Sequence, residues 1–95
     1  MVVISECLYS SKVSKEIIKR TLQMMPLPEF LSINGPYTIM KTKYLIKSIT
    51  IYEFDESKFF EALEYIGLRL SNYRSVPVYD YHINIWNHEE SFSDI

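Results

Sequence analysis

The residues best placed for chemistry lie in the segment VYDYHINIWN, residues 78–87. If it is extended, alternation sets Asp80, His82, Asn84 and Trp86 on one face with Val78, and Tyr79, Tyr81, Ile83 and Ile85 on the other. An acid and an imidazole two residues apart could orient a substrate or move a proton, and an indole beside them could stack on a ring. Ser48, Thr50 and Tyr52, with the same spacing in KSITIYEF, could join that group from a neighbouring strand. The same polar groups could instead hydrogen-bond across a subunit interface or meet water at a sheet edge, since clustered polar groups are often structural. A one-residue slip in strand register would invert the faces.

Other chemistries find less support. Asp80, His82, His88 and Cys7 offer metal-binding atoms, but an Asp-x-His pair with a distant histidine lacks the three or four converging ligands of a zinc site, and no metal is expected. Cys7 lies among Val3, Ile4 and Leu8, an apolar setting that suits an inert thiol better than a nucleophile. Two glycines in the whole chain are too few for a phosphate-cradling loop, and no cofactor is expected. Residues 47–54 match the ends of the RNA-recognition motif, yet Ile49 and Ile51 stand where base-stacking rings belong. A sequence pI near 5.6 further disfavours nucleic acid.

The elements that would position these groups follow from pattern. Residues 2–9 (VVISECLY) favour a strand. Ser10 and Ser11 can cap a helix over residues 12–25, whose apolar groups Val13, Ile17, Ile18 and Leu22 recur at helical spacing and which ends at Met25-Pro26-Leu27-Pro28. Asn34-Gly35-Pro36 reads as a turn, residues 37–42 as a strand, and residues 44–54 as a second, central strand. Asp55 offers its carboxylate to the free amides of a helix over residues 56–73. On that helix Phe59, Ala62, Leu63, Ile66, Leu70 and Tyr73 form the apolar stripe, while Lys58, Glu61, Glu64 and Arg69 face water. Gly67 inside it costs about 1 kcal/mol relative to alanine. Ser75-Val76-Pro77 then breaks the pattern before the last strand.

The order strand, helix, strand, strand, helix, strand predicts an α+β fold, the ferredoxin-like βαββαβ plait, with a four-stranded antiparallel sheet and two helices on one face. Residues 1–87 make this one domain, followed by a polar, acidic tail, residues 88–95. Such a sheet leaves one face without helices. Both faces here carry large apolar groups: Val2, Ile4 and Leu8 oppose Val3, Cys7 and Tyr9, and Ile49 and Ile51 oppose Ile46, Tyr52 and Phe54. A homodimer is the expected way to cover the second face.

The composition, 47% hydrophobic and 15% aromatic, is that of a packed globular chain. A lone cysteine, no secretory leader pattern and no apolar run near the roughly 20 residues of a membrane span predict a cytoplasmic protein with no membrane partner. The net charge of −2 hides an asymmetry, +4 over residues 1–50 and −6 over residues 51–95. Either the two halves compensate each other or the basic half offers a surface to an anionic partner.

The order of elements, the Gly35-Pro36-Tyr37 turn, the strand end Ile49-Thr50-Ile51-Tyr52-Glu53-Phe54-Asp55 and the closing strand Tyr81-His82-Ile83-Asn84-Ile85-Trp86 resemble the dimeric α+β barrel superfamily, and within it a small uncharacterised family. The resemblance reaches to about residue 87. It implies that the plait dimerises as an α+β barrel. It does not select an activity, because that superfamily holds cofactor-free monooxygenases, isomerases, haem-dependent enzymes, stress proteins and regulatory ligand-binding domains, and none of their catalytic sets is complete here. Two functions stay open. One is binding of, or action on, a small organic molecule in a pocket between the sheets without a metal, with His82 and Asp80 as candidate catalytic groups and Trp86, Asn84, Tyr52, Thr50 and Ser48 as ligand contacts. The other is a non-enzymatic homodimeric interaction or regulatory module.

Overall fold

The computed structural model describes residues 1–24 and 26–87. Its elements are β1 (Val2–Ser10), α1 (Ser14–Leu22), β2 (Leu31–Thr42), β3 (Leu45–Phe54), α2 (Phe59–Ser71) and β4 (Asp80–Trp86). All neighbouring strands are antiparallel, in the order β2-β3-β1-β4. That is the strand order of the ferredoxin-like plait expected from the sequence. The acidic tail, including His88, lies outside the described residues.

Both helices begin the same way. A strand ends on a capping residue in extended conformation, a single 3-10 turn follows, and the α-helix continues from it. Ser10 is the cap before the turn Ser11–Val13, its side chain accepting from the Lys12 amide. Asp55 is the cap before the turn Glu56–Lys58, its carboxylate accepting from the Ser57 amide at 2.9 Å. The two bonds to Ser57, side chain first, hold the Asp55 carboxyl below its ordinary range. Capping thus fixes each helix start directly at a strand end, which sends both helices back across the same sheet face.

The core sits at one end of that face. Val3, Leu31, Tyr52 and Phe54 project from three strands against Ala62, Tyr65 and Ile66 of α2. Ala62 is fully buried in this cluster, where its small side chain leaves room for Tyr52 and Phe54. Phe59, Leu63 and Leu70 flank this contact as the apolar stripe requires. α1 contributes no buried residue. Polar bonds tie its C-terminal half to the end of α2: the Arg20 guanidinium donates to the Asn72 and Arg74 carbonyls, and the Thr21 and Tyr73 hydroxyls share a 2.6 Å bond.

One expectation is corrected here. β2 starts at Leu31, and the Asn34-Gly35-Pro36 segment is a bulge inside it rather than a turn before it, because β3 pairs with β2 on both sides of the irregularity. β2 is an edge strand, the place in a sheet where a proline without an amide is tolerated. Gly67 is explained by neither close packing nor strain: a Cβ there would meet nothing within 4 Å.

Candidate functional site

Register decides which polar groups share a face. Across the sheet Ser5 pairs with Thr50 on β3 and with Ile83 on β4, and Cys7 pairs with Ser48 and with Tyr81. Residues paired in this way point to the same side. Ser48, Thr50 and Tyr52 therefore share the helix-facing side with Tyr81 and Ile83. Asp80, His82, Asn84 and Trp86 stand on the opposite side, beside Leu8, Glu6, Ile4 and Val2. The seven residues singled out from the sequence do not form one site; they divide between the two faces of the sheet. The alternation within β4 is as expected, and the register turns Tyr81, Ile83 and Ile85 towards the helices.

On the uncovered face the polar residues lie open to solvent. His82 Nε2 and Asp80 Oδ2 are 2.9 Å apart, with side chains 60% and 56% exposed. Asp80 Oδ1 also accepts from the Tyr81 amide. His82 faces Glu6 across the ladder, and Glu6 in turn pairs with Lys47 at 3.3 Å. A polar band thus crosses a face otherwise built of Val2, Ile4, Leu8, Ile49 and Ile51, all half-buried. Trp86 at 57% and Ile39 at 60% exposure mark its edges. Cys7 points to the other side, so it does not converge with Asp80 and His82. Among the described residues each ion pair, Glu16 with Arg20, Glu6 with Lys47 and Asp80 with His82, joins two residues of the same half of the chain. Among the described residues, no ion pair cancels the charge asymmetry between the halves.

The helix-facing side holds a cavity of about 620 Å³ between the sheet and the C-terminal halves of α1 and α2, within the range of about 300–1,000 Å³ usual for small-molecule sites. Its floor is two rungs of the sheet, Ser5 with Thr50 and Ile83, and Cys7 with Ser48 and Tyr81. At the core end these positions are filled by Val3, Tyr52 and Phe54. Small side chains replace large ones at Ser5, Cys7, Ser48 and Thr50, before Tyr9 and Ile46 follow, and the helices bridge the space instead of filling it. Ile17, Leu70 and Val76 make the walls apolar, and Ile18 and Leu22, exposed on α1, stand at the rim. Arg69 also lines this space, although its place off the apolar stripe predicted a water-facing side chain. A signal for the cavity was present in the sequence: the helix-facing positions of β1 and β3 run from large apolar residues to Ser, Cys, Ser and Thr. It becomes readable only once register sets the two runs side by side.

Burial raises four acid groups of the cavity, Cys7, Tyr9, Tyr52 and Tyr81, above their ordinary values, so that these groups, neutral at pH 7 in any case, hold their protons to higher pH. It pushes up the Cys7 thiol, helped by the Asp80 carboxylate, and the Tyr9 phenol, helped by Cys7 and Tyr73. The Tyr52 phenol is raised by burial, an effect partly offset by the Arg69 guanidinium and the Ser5 hydroxyl. Tyr81 is pushed up to about 12, by burial first and then by Tyr52, Cys7 and Tyr73. The folded state holds this proton more tightly than the unfolded chain. The resulting stabilisation is fully present below the ordinary value of 10.0 and is lost as pH rises through about 12. Since Tyr81 stays 42% exposed, solvent screening makes that loss small. An ultraviolet titration of phenolate should show a step displaced to about 12 that disappears in Tyr81→Phe. Ionisation of every phenol at the ordinary value would exclude this environment for Tyr81.

No protein-family model matches the chain, and no curated protein is similar to it. Among solved structures, a tripeptidase from Staphylococcus aureus subsp. aureus Mu50 aligns over 87% of this chain with 9% identity and a TM-score of 0.43. The chain spans 27% of that protein's length. A likeness at that level bears on neither fold nor chemistry. Among the described residues, no helix is long and apolar enough to cross a membrane.

Proposed function

We propose that this protein binds a small organic molecule in the cavity beneath its helices and acts as a binding module. The observation that carries the reading is the cavity itself: an apolar chamber large enough for a drug-sized molecule, with hydroxyls of Ser5, Ser48 and Thr50 on its floor. Many apolar contacts with a few placed polar groups are what such sites offer. Binding is favoured over catalysis because the cavity's one thiol, Cys7, is kept protonated and, among the described residues, no base lines the cavity with it. The pair with acid–base capacity, Asp80 and His82, is on the other side of the sheet.

A second reading concerns assembly. The uncovered face exposes Trp86, Ile39 and Tyr37 around a half-buried apolar centre, which favours a homodimer joined sheet to sheet as in an α+β barrel. Glu6, Glu53 and Asp80 against Lys47 on that face disfavour a nucleic acid as its cover. In a dimer of this kind the Asp80–His82 pair would serve the interface, and a module working through that face alone would need no ligand.

The two readings separate by experiment. A screen of small aromatic compounds by heteronuclear NMR should shift the amides of Ser5, Ser48 and Tyr81. Ser48→Phe, which places a ring on the cavity floor, should abolish those shifts while leaving the thermal midpoint within a few degrees. Compounds that bind Ser48→Phe as well as the parent protein would rule out the cavity as their site. Light scattering should give about twice the chain mass of 11.3 kDa. Ile51→Glu, on the uncovered face, should give a monomer that still binds. A parent protein monomeric at high micromolar concentration would remove the barrel.

A further inference from the structure

The electrostatics of the cavity are more selective than its shape. The chain as a whole is acidic, with twelve Asp and Glu against ten Lys and Arg. Yet among the described residues the only side chains lining the cavity that are charged at neutral pH are two arginines, Arg69 and Arg74, and none of the described Asp or Glu residues lines it. Among the described residues neither arginine forms an ion pair with a carboxylate. Arg20, nearby on α1, is different: Glu16 at 2.8 Å and the Asn72 and Arg74 carbonyls occupy its guanidinium. Arg20 holds the helices together, whereas Arg69 and Arg74 keep their ionic capacity for something else.

Resting on the reading of the cavity as a ligand site, we propose that its ligand is an amphipathic organic acid, an apolar body carrying one anionic group that Arg69 binds with support from Arg74. A guanidinium recognises an oxyanion through a fork of parallel donors, and such a bond is stronger where apolar walls exclude water. The Tyr52 phenol, beside Arg69 and neutral at pH 7, is a hydrogen-bond donor rather than a repelling phenolate. Val76, Ile17 and Leu70 supply the surface for the body. Arg69 also lies in the last turn of α2, where a cation complements the helix dipole. That role alone would affect stability and would not distinguish between ligands.

Calorimetric titration with naphthoate, naphthylmethanol and naphthylmethylamine, one ring system with three charges, tests this. Naphthoate should bind about tenfold more tightly than the alcohol, and the amine most weakly. Raising the ionic strength should weaken naphthoate alone, a readout that does not depend on any variant folding. Arg69→Met, which keeps the apolar stem, should bring naphthoate down to the affinity of the alcohol without changing the alcohol, and Arg69→Lys should retain most of the preference. Equal affinity for the three compounds overturns the anion assignment and leaves the cavity reading in place. Binding of none of them overturns both. A preference for naphthoate that survives Arg69→Met and is insensitive to salt overturns the role of Arg69.

Discussion

Tyr52→Ala is expected to cost about 3–5 kcal/mol, the range for removing a buried aromatic side chain. Tyr52 is 1% exposed and lies in the core cluster with Val3, Ala62 and Ile66. A domain of this size has a total stability of about 5–15 kcal/mol, so the variant should be close to unfolded at 25 °C. Urea denaturation followed by circular dichroism, at one protein concentration throughout, would measure the loss. Tyr52→Phe keeps the ring and gives up the interactions of its hydroxyl with Arg69 and Ser5; it should cost about 1 kcal/mol. The contrast separates the two duties of this residue, since its ring belongs to the core and its hydroxyl to the cavity. A Tyr52→Ala protein with the parent's midpoint would mean that the ring does not pack against α2.

The second large effect is expected at Gly35. Its φ of +105° is a conformation that other residues rarely adopt, and a Cβ there would lie 2.9 Å from both the Ile49 carbonyl oxygen and the Tyr37 amide nitrogen. Backbone strain alone costs about 1–3 kcal/mol. The neighbours are backbone atoms of two paired strands and cannot turn aside as a flexible side chain could, so Gly35→Ala should lose more than that. Gly67→Ala should move the other way, gaining about 0.4–1 kcal/mol, because the helix there is open and alanine restricts the unfolded chain. Denaturation midpoints of the two variants should therefore fall on opposite sides of the parent. Gly35→Ala at or above the parent's midpoint would be incompatible with the bulge in β2.

Local pattern carried most of the fold. The cap at Asp55, the apolar stripe of α2 and the alternation of β4 were legible because each depends on neighbours within a few positions, and together they required a plait. Gly35-Pro36 misled because the same dipeptide marks a turn and an edge-strand bulge, and only the pairing of both flanks with β3 tells them apart. The candidate site was less legible. Asp80 and His82 drew attention by residue type, but the groups that line the cavity are unremarkable in type and meet through long-range register. Nothing local indicates that Ser5 lies beside Thr50, forty-five positions away in the chain. Arg69 was assigned to water because helical periodicity shows distance from the apolar stripe, not what lies across from that position.

The sheet is divided lengthwise, with Val3, Tyr52 and Phe54 packed at one end and Ser5, Cys7, Ser48 and Thr50 under an open chamber at the other. That division separates two selective pressures that many small proteins must satisfy with the same side chains. Substitutions at these four of the floor positions change the volume of the chamber while leaving the packed end in place, so they need not push the chain below its folding threshold. On the proposed reading of the cavity as a ligand site, a lineage built this way is free to exchange one guest for another by single steps, each viable on its own.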